Sequence, residues 1–557
     1  MKLLHTVPIV KECHLHFSFL LVVQMHLSSL IVAACFVAVA TATRYVVIKE
    51  GAAFRTIVDE EHTHNFKSRS VAVVGEYNQT LLVLGWDTMK LESNPSFSDE
   101  DQAYAAGFFE GSVTYTQAWN HYQNNFNNTP VSAAVLKFFD EHVAWLEQSI
   151  AAKNQTDPYW YQVGLQWLIW QGLFDGLNAA AVGPPFTQHM LLSLTSMGDL
   201  FDLDAALNSN SEMRTTDWRK LPKQAYMRMF AKNTHCSALY KVTGDMQDIF
   251  FGHVAWYNFN TMMRIFKHLT LNFNASGTTA KTISMSSYPG MVSSFDDYYV
   301  TDSGLSVIET SVMVLNLTMY EGNIRPNLLL YWMRTMVANR MATSAPHWTQ
   351  LISKFNSGTY NNQWMVLDLN KFTPGQDLPD DTLWIAEQFP GVVGTRDVTS
   401  MLRYGYYPSY NVPMIKELFW ASGYGEAVQT QGPEMNDYQM CVRAQIFRRD
   451  QGTVVDMPTF KHMMQYNDYE TDPISNGNPL YAISSRADLD PHAPQCFGAL
   501  DAKVSSWSMW KKGQIIDAWS GPTPQQPRFG YNTTLAKCGL HVGLPPVYDF
   551  NWVSMSP

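Results

Sequence analysis

Strand-like and helix-like apolar patterns alternate in blocks along this 557-residue chain, and this alternation is the strongest constraint on its fold. Two stretches near the start, Tyr45–Val58 and Ser70–Leu84, predict strands. Apolar residues at helical spacing then predict three helices, at Asp99–Asn120, Val131–Ala151 and Tyr159–Ala181. Such a mixture favours a layered α/β or α+β fold over an all-helical or all-β one.

The second half of the chain also contains both predicted strands and predicted helices. Short apolar runs beginning at Cys236 and Ile249 predict two adjacent strands, and Gln363–Leu367 predicts another. Helices are predicted at Tyr257–Leu269 and Ile324–Ala342. With 46% apolar and 16% charged residues, the chain is long enough for two ordinary domains or one large assembly.

The N-terminus has the pattern of a secretory leader. An apolar run from Leu27 ends in Ala40-Thr41-Ala42, a small-x-small pattern that predicts a signal peptide over residues 1–42, with cleavage before Thr43. Because the run lies far from Met1, Met25 is a second candidate for the initiating residue. An uncleaved membrane anchor is the alternative. No later segment reaches membrane-spanning length without charges.

Loss of this leader would leave four cysteines, Cys236, Cys441, Cys496 and Cys538. We predict one disulfide, between Cys496 and Cys538, since both lie in the irregular C-terminal region and the compartment would be oxidising. Six N-x-S/T acceptors support a luminal glycoprotein, secreted or held in a lysosome-like compartment. They are Asn78, Asn127, Asn154, Asn274, Asn316 and Asn532.

Several functions are disfavoured by composition and missing motifs. The net charge of −11 and the lack of a long basic run argue against nucleic-acid binding. No G-x-S-x-G elbow, Walker loop or dinucleotide glycine pattern occurs, so we predict no cofactor. His62 and His64 lack a placed third ligand, and we therefore predict a solvated loop there and no metal.

Cys236 is the candidate nucleophile. Its strand is followed by a turn at Thr243-Gly244-Asp245 and by a second strand that carries His253, so a hairpin would bring thiol and imidazole together. A polar and basic stretch before it, residues 207–235, predicts a protease-accessible surface loop. Cleavage before Cys236 would give the thiol its own α-amino base. The alternative is an inert core cysteine.

Five motifs resemble those of the phospholipase B-like, or lamina ancestor, family, and the similarity runs from about Thr43 to the C-terminus. The motifs are His235-Cys236-Ser237-Ala238-Leu239, Gly252-His253-Val254-Ala255-Trp256, Ser287-Tyr288-Pro289-Gly290, the segment 356–364 (NSGTYNNQW) and the segment 443–449 (RAQIFRR). The segment around Tyr360 and the arginine segment are the most specific, because neither is a general turn or core pattern.

This resemblance implies an α+β N-terminal nucleophile hydrolase, an αββα sandwich of two antiparallel sheets between helical layers. Residues 43–206 would form its N-terminal chain, residues 207–235 a linker before the scissile bond, and residues 236–557 the catalytic chain. The implied roles are nucleophile for Cys236, orienting or polarising group for His253, pocket wall for Trp256, site hydroxyl for Thr310 or the adjacent Ser311, oxyanion donor for Asn411 and nearby cation for Arg443.

The resulting hypothesis is a self-cleaved hydrolase that cuts lipid acyl esters through a Cys236 thioester. An amidase acting on N-acylated lipids or small acyl-amides is the alternative enzyme, since the same nucleophile suits both bonds. A glycoprotein that binds lipid or protein without turnover is the third reading. The sequence leaves the oligomeric state open.

Overall fold

The computed structural model describes residues 42–234, 236–524 and 527–557. The predicted leader, including Met25 and both of its cysteines, lies outside these residues except for Ala42. His235, on the far side of the predicted scissile bond, also lies outside them. The residues from Thr43 to Pro557 form one structural unit.

Two mainly antiparallel sheets form the centre of this unit. The strands in chain order are β1 Thr43–Glu50, β2 Ala53–Val58, β3 Val71–Asn78, β4 Asp87–Ser93, β5 Ser237–Val242, β6 Ile249–Val254, β7 Trp256–Asn258, β8 Ile265–Thr270, β9 Thr282–Ser287, β10 Tyr298–Thr301, β11 Leu305–Ser311, β12 Asn362–Asp368, β13 Leu383–Phe389, β14 Val392–Asp397, β15 Tyr406–Ser409, β16 Phe497–Ala499, β17 Asp501–Ser506, β18 Ile516–Ser520 and β19 Val553–Met555.

The larger sheet has the order β14-β13-β12-β11-β10-β9-β8-β4-β3-β1-β2, and the smaller one β15-β5-β6-β17-β18-β19. Every neighbouring pair in the larger sheet is antiparallel except β4 and β8, which run parallel. The parallel pair arises because the chain leaves the sheet after β4, forms the helices that follow and the first strands of the smaller sheet, and returns at β8.

The two sheets face each other across an apolar core. Tyr240 of β5 donates to the backbone oxygen of Ser306 in β11 at 3.2 Å. Phe251 of β6 stacks on Tyr298 of β10, with ring centroids 6.3 Å apart. All six residues of β5 and of β6 are buried, which explains why these strands read as continuous apolar runs rather than alternating ones.

Helices cover the outer faces of both sheets. The longer ones are Asp99–Phe126, Ala133–Lys153, Pro158–Ala179, Gln188–Thr195, Met197–Leu207, Lys223–Asn233, Tyr331–Met341, Ala345–Ile352, Tyr424–Gln431, Val442–Asp450 and Met457–Met464. Shorter ones are Leu81–Leu84, Glu212–Thr215, Thr399–Leu402, Lys416–Ala421, Pro433–Asn436 and Trp507–Lys511. Phe109, in the first helix of the longer set, packs toward β3, whereas Phe460 packs on Phe250 of β6 with ring centroids 5.5 Å apart. The predicted α+β sandwich is confirmed.

Glycines set the contact between the two longest helices. A Cβ on Gly107 would lie 1.9 Å from the Ile169 carbonyl oxygen, and one on Gly172 would lie 2.1 Å from that of Tyr104. Only glycine permits this separation of the backbones. Gly172→Ala should therefore destabilise the fold by about 1–3 kcal/mol. Thermal unfolding measures the effect. Gly244→Ala is the control, because no atom of the described residues, apart from its chain neighbours, lies within 4 Å of that added carbon. Equal melting temperatures of the two variants would contradict the prediction.

Three local predictions need correction. Tyr257–Leu269 is not a helix: it contains β7, a single 3-10 turn at Phe259–Thr261 and the start of β8. Its dense apolar residues reflect burial on several sides, not helical amphipathicity. Ser70–Leu84 is a strand only to Asn78, and Leu81–Leu84 is a short helix.

The third correction concerns the predicted surface loop before Cys236. This segment contains the helix Lys223–Asn233, whose residues Tyr226, Phe230 and Ala231 are buried. Exposed polar and basic residues form the opposite face of this helix, so composition alone predicted a loop. Whether the segment is cut or trimmed stays a prediction.

In the C-terminal region, Cys496 and Cys538 are joined by a disulfide that closes a span of 42 residues. The six predicted glycosylation acceptors are all exposed or half-buried. Among the described residues, no helix combines the length and the apolar character required to cross a membrane.

Candidate active site

Cys236 lies immediately before β5 and is only 2% exposed. Its backbone φ is +86°, in the left-handed region that residues with a Cβ rarely adopt. Such a conformation costs about 1–3 kcal/mol and persists only where the surroundings impose it. The peptide bond predicted to be cut therefore adjoins a strained residue.

The β5–β6 hairpin places His253 beside this thiol. Ala238 of β5 pairs with His253 of β6, which pairs in turn with Lys503 of β17. The Cys236 thiol donates to Glu309 Oε1 at 3.8 Å. One ligand-type atom from each of Cys236, His253 and Glu309 lies within 4.8 Å of the others, and all three residues are buried. These side chains are therefore also a candidate set of metal ligands.

Burial makes all three groups resist ionisation. It raises the pKa of the Cys236 thiol well above its ordinary value, and the nearby Glu309 carboxyl raises it further. Burial, followed by the charge of Lys503, holds the pKa of His253 well below its ordinary value. The pKa of Glu309 is raised, first by burial and then by Asp297. In the uncut chain the thiol is accordingly protonated at neutral pH.

Arg443 fixes the backbone at the predicted cleavage point. Its guanidinium donates to the Cys236 carbonyl oxygen at 2.7 Å and to Ser237 Oγ at 3.2 Å. It also donates to the Tyr410 carbonyl oxygen at 2.8 Å. The guanidinium lies 4.4 Å from the ring centre of Trp256, whose indole nitrogen donates to a backbone oxygen. Burial lowers the pKa of Arg443 to about 10, which leaves it positively charged at neutral pH.

Asn411 joins Arg443 to the β11 strand. Its amide oxygen accepts from Arg443 at 2.6 Å, and its amide nitrogen donates to the Ser311 carbonyl oxygen at 2.7 Å. Thr310 Oγ1 accepts from the Asn411 backbone nitrogen at 3.1 Å and hydrogen-bonds Ser409 Oγ at 2.6 Å. Thr310 is thus tied into this network by its hydroxyl, whereas Ser311 lines a neighbouring cavity.

Contacts link the six predicted site residues to one another. The Arg443 guanidinium contacts Cys236, Trp256 and Asn411. Thr310 joins this group through Asn411, and His253 lies beside the thiol. Their individual chemical roles stay predictions.

A cluster of four buried charges, which sequence reasoning missed, lies next to these residues. Asp296 Oδ2 is 2.6 Å from both Arg264 and Lys503, and Asp501 makes contacts of the same length with the same two cations. The backbone nitrogen of Ala255, between His253 and Trp256, donates to Asp501 at 3.3 Å. This cluster anchors the strand end that carries the site.

Glu309 and Tyr360 were also missed as site groups. Tyr360 donates to Glu309 Oε1 at 3.2 Å and hydrogen-bonds the Phe295 carbonyl oxygen as well. A lone carboxylate within the apolar strand Leu305–Ser311 was the available signal for Glu309. The segment around Tyr360 was recognised as a family motif, but nothing local related it to the thiol.

A cavity of about 160 Å³ adjoins this part of the site. Tyr360 and Ser311 form part of its wall, and the aromatic rings of Tyr257 and Phe295 contribute apolar surface. Lys232 and Asn233, at the end of the helix before Cys236, also line it. The predicted pre-cleavage segment therefore borders the same cavity as Tyr360, whose hydroxyl donates to the Glu309 carboxyl that contacts the thiol.

Comparison with known proteins now places these residues in a family. The phospholipase B family model matches residues 73–555. The chain belongs to the phospholipase B family. It is 38% identical over 493 residues to phospholipase B of Crotalus adamanteus, covering 87% of this chain and 88% of that protein. It is 36% identical over 504 residues to phospholipase B-like protein B of Dictyostelium discoideum, covering 88% and 86%.

Human phospholipase B-like 1 is 35% identical over 506 residues, with 88% of each chain covered. The recognised family is therefore confirmed, and the relatives' names agree with the coarser prediction of a phospholipase B-like hydrolase. Self-cleavage, the thioester and the substrate remain predictions for this phospholipase B family member.

Asp199 follows Gly198, which lines the same cavity, and its buried carboxyl leads to a prediction about pH. Burial raises its pKa to about 7, whereas an unfolded aspartate titrates near 4. Its stabilising contribution is therefore complete below about pH 4 and is lost as pH rises through 7. Asp199→Asn, which imitates the protonated carboxyl, should reduce the loss of stability between pH 5 and 8 by up to a few kcal/mol, at about 1.4 kcal/mol per pKa unit.

Thermal unfolding across this pH range measures the effect of Asp199→Asn. Asp204→Asn is the matched control, because Asp204 is half-buried on the same helix, Met197–Leu207. Parallel stability profiles for wild type and Asp199→Asn would contradict the prediction.

Proposed function

We propose that this protein is a self-cleaving acyl hydrolase of the secretory pathway, acting on lipid esters through a Cys236 thioester. The observation that carries the proposal is the constrained Cys236 itself. Its φ is +86°, and its carbonyl oxygen accepts a hydrogen bond from Arg443 at 2.7 Å. The peptide bond predicted to be cut lies immediately before it. Membership of the phospholipase B family supports the ester-hydrolase class.

Self-cleavage would begin with attack of the Cys236 sulfur on the carbonyl carbon of His235. The peptide bond breaks, the thiol proton passes to the departing amide nitrogen, and a thioester forms with a new α-amino group on Cys236. Water then hydrolyses the thioester, which releases a carboxyl group on His235 and restores the thiol. Relief of the Cys236 backbone strain would favour this reaction.

The mature enzyme would use the new α-amino group as the general base. Model α-amino groups have a pKa of about 7.7–8.0, well matched to accepting the thiol proton near neutral pH. Thiolate attack on the lipid carbonyl forms an acyl thioester, and the alcohol leaves with the proton. Water then releases the fatty acid. The proposed oxyanion donor is the Asn411 amide, oriented by Arg443.

The test of self-cleavage is N-terminal sequencing of every fragment after incubation at mildly acidic pH, comparing wild type with Cys236→Ala. We expect a fragment beginning at Cys236 in wild type and none in the variant. Cys441→Ala is the matched control, since Cys441 is another buried free thiol. An uncut wild-type chain, or equal cutting with and without Cys236, would refute the self-cleavage step.

The substrate test compares fatty-acid release from phospholipid vesicles with release from an N-acyl amine. We expect release from the ester and its loss in Cys236→Ala. A protein active on the amide and inactive on the ester would replace our proposal by the amidase alternative. Binding of vesicles without any acyl release in wild type would favour a non-catalytic glycoprotein.

A further inference from the structure

Cys236, His253 and Glu309 offer sulfur, imidazole nitrogen and carboxylate oxygen at one buried point. Their ligand atoms all lie within 4.8 Å of one another, and the sulfur is 3.8 Å from the Glu309 oxygen. Zinc bonds to such atoms are about 2.0–2.3 Å long, which places tetrahedral ligands about 3.3–3.6 Å apart. To reach that spacing, each pair of ligand atoms would have to approach by about 1.5 Å at most.

His253 gives an independent indication of a missing ligand. It is fully buried, yet neither ring nitrogen has a hydrogen-bonding partner among the described residues. The Glu309 backbone is near enough to influence the ring pKa, but it does not meet hydrogen-bonding geometry. A buried polar atom without a partner is costly, and a coordinated cation would satisfy one nitrogen.

Charge balance favours a divalent cation over an anion or a monovalent ion. A zinc ion with one thiolate, one carboxylate and one neutral imidazole has no net charge, so the assembled group avoids the cost of an isolated buried charge. Thiolate and imidazole are soft and intermediate ligands that suit zinc, whereas magnesium and calcium prefer oxygen. Three protein ligands leave a fourth position for water.

We propose that Cys236, His253 and Glu309 bind one Zn²⁺ ion, which ligates the nucleophile and inhibits its attack. The binding site is independent of the reaction, whereas inhibition rests on the proposed self-cleavage. A sulfur that donates its electron pair to zinc is a weaker nucleophile toward the adjoining carbonyl. Zinc in the buffer would therefore hold the chain in its uncut form.

The binding test uses the purified full-length chain and the metal ion alone. After equilibrium dialysis against Zn²⁺ at neutral pH, Cys236→Ser should contain one zinc equivalent fewer than Cys441→Ser, the variant of the other buried free thiol. His253→Gln should also lose this equivalent, and His268→Gln, a change at another buried histidine, should keep it. Equal zinc content in Cys236→Ser and Cys441→Ser would overturn the proposal.

Cobalt(II) gives a second, spectroscopic test of sulfur ligation, and one of its decisive outcomes uses the wild-type protein alone. Wild-type protein loaded with Co²⁺ should show a thiolate-to-cobalt charge-transfer band, retained in Cys441→Ser and absent in Cys236→Ser. A wild-type spectrum without this band would overturn the site. Because the band reports sulfur ligation in both cut and uncut protein, it is separate from any failure of self-cleavage.

The inhibition test follows the fraction of wild-type chain cut before Cys236, with added Zn²⁺ and then with excess chelator. We expect at least a tenfold slower appearance of the fragment with zinc and recovery with chelator. Zinc bound through Cys236 with an unchanged cutting rate would overturn the inhibitory role. A chain that binds zinc and is never cut, even with chelator, would contradict the proposed function and leave the metal site supported.

Discussion

Arg443→Met should slow self-cleavage by about 10²–10³-fold, the size of effect found when an oriented donor is removed from a reaction centre. Arg443 holds the Cys236 carbonyl at 2.7 Å and the Asn411 amide oxygen at 2.6 Å. Methionine fills similar volume but donates no hydrogen bond. The scissile region and the oxyanion donor would therefore lose their shared anchor.

The effect of Arg443→Met on the free energy of unfolding combines two opposing contributions. Arg443 is a fully buried cation whose contacts are with neutral oxygens, so its removal also relieves a desolvation cost. The orphaned acceptors oppose this gain at about 1–3 kcal/mol each. We expect Arg443→Met to remain folded with a moderately lower melting temperature.

Two further variants distinguish the anchoring role of Arg443 from a general disruption of the fold. Arg448→Met changes an exposed arginine on the same helix and should cut at the wild-type rate. Arg443→Lys keeps the charge without the planar fork and should fall between wild type and Arg443→Met. The measurement is the time course of the fragment beginning at Cys236. Wild-type cutting by folded Arg443→Met would contradict the anchoring role.

The long helices show what sequence alone could supply. Apolar periodicity predicted the helices now observed at Asp99–Phe126, Ala133–Lys153 and Pro158–Ala179 to within a few residues at most ends. Each extends over at least five turns, so the repeat is clear even where single positions depart from it. The same method failed at Tyr257–Leu269, where buried strands and a turn are apolar without any period.

For the site, too, local contacts could be predicted from the sequence and long-range contacts could not. Cys236 and His253 could be linked from sequence because a short hairpin joins them, and hairpins are local. Glu309 could not, because 73 residues separate it from Cys236 and its strand is otherwise dominated by buried neutral residues. Asn411 and Arg443 entered through family resemblance, since 207 residues separate Arg443 from Cys236 and Asn411 joins the site through Arg443.

The four-charge cluster was beyond sequence reasoning for the same reason. Arg264, Asp296, Asp501 and Lys503 come from three distant segments, and each is unremarkable in its own stretch of sequence. Only the packing of β17 against the larger sheet brings them together. Their combined formal charge is zero, which makes their complete burial tolerable.

Lys503→Met should destabilise the protein by about 3–5 kcal/mol, because it leaves two buried carboxylates with only Arg264 as a cation. Restoring neutrality should recover part of that loss. The double variant Lys503→Met with Asp501→Asn keeps the Arg264–Asp296 pair, and we expect it to be more stable than Lys503→Met by about 0.5–3 kcal/mol. Denaturant unfolding of wild type, both single variants and the double variant measures this coupling.

An exposed pair provides the matched control for Lys503→Met. Lys137 and Glu141 form an exposed i,i+4 ion pair 3.7 Å apart, and Lys137→Met should change stability by less than about 1 kcal/mol. Additive effects of Lys503→Met and Asp501→Asn would contradict the charge-balance argument.

Lys503 also lowers the pKa of the Cys236 thiol. Its loss should therefore slow self-cleavage even in the folded fraction, because the Lys503 charge opposes the rise in the thiol pKa that burial and the nearby carboxyl groups cause.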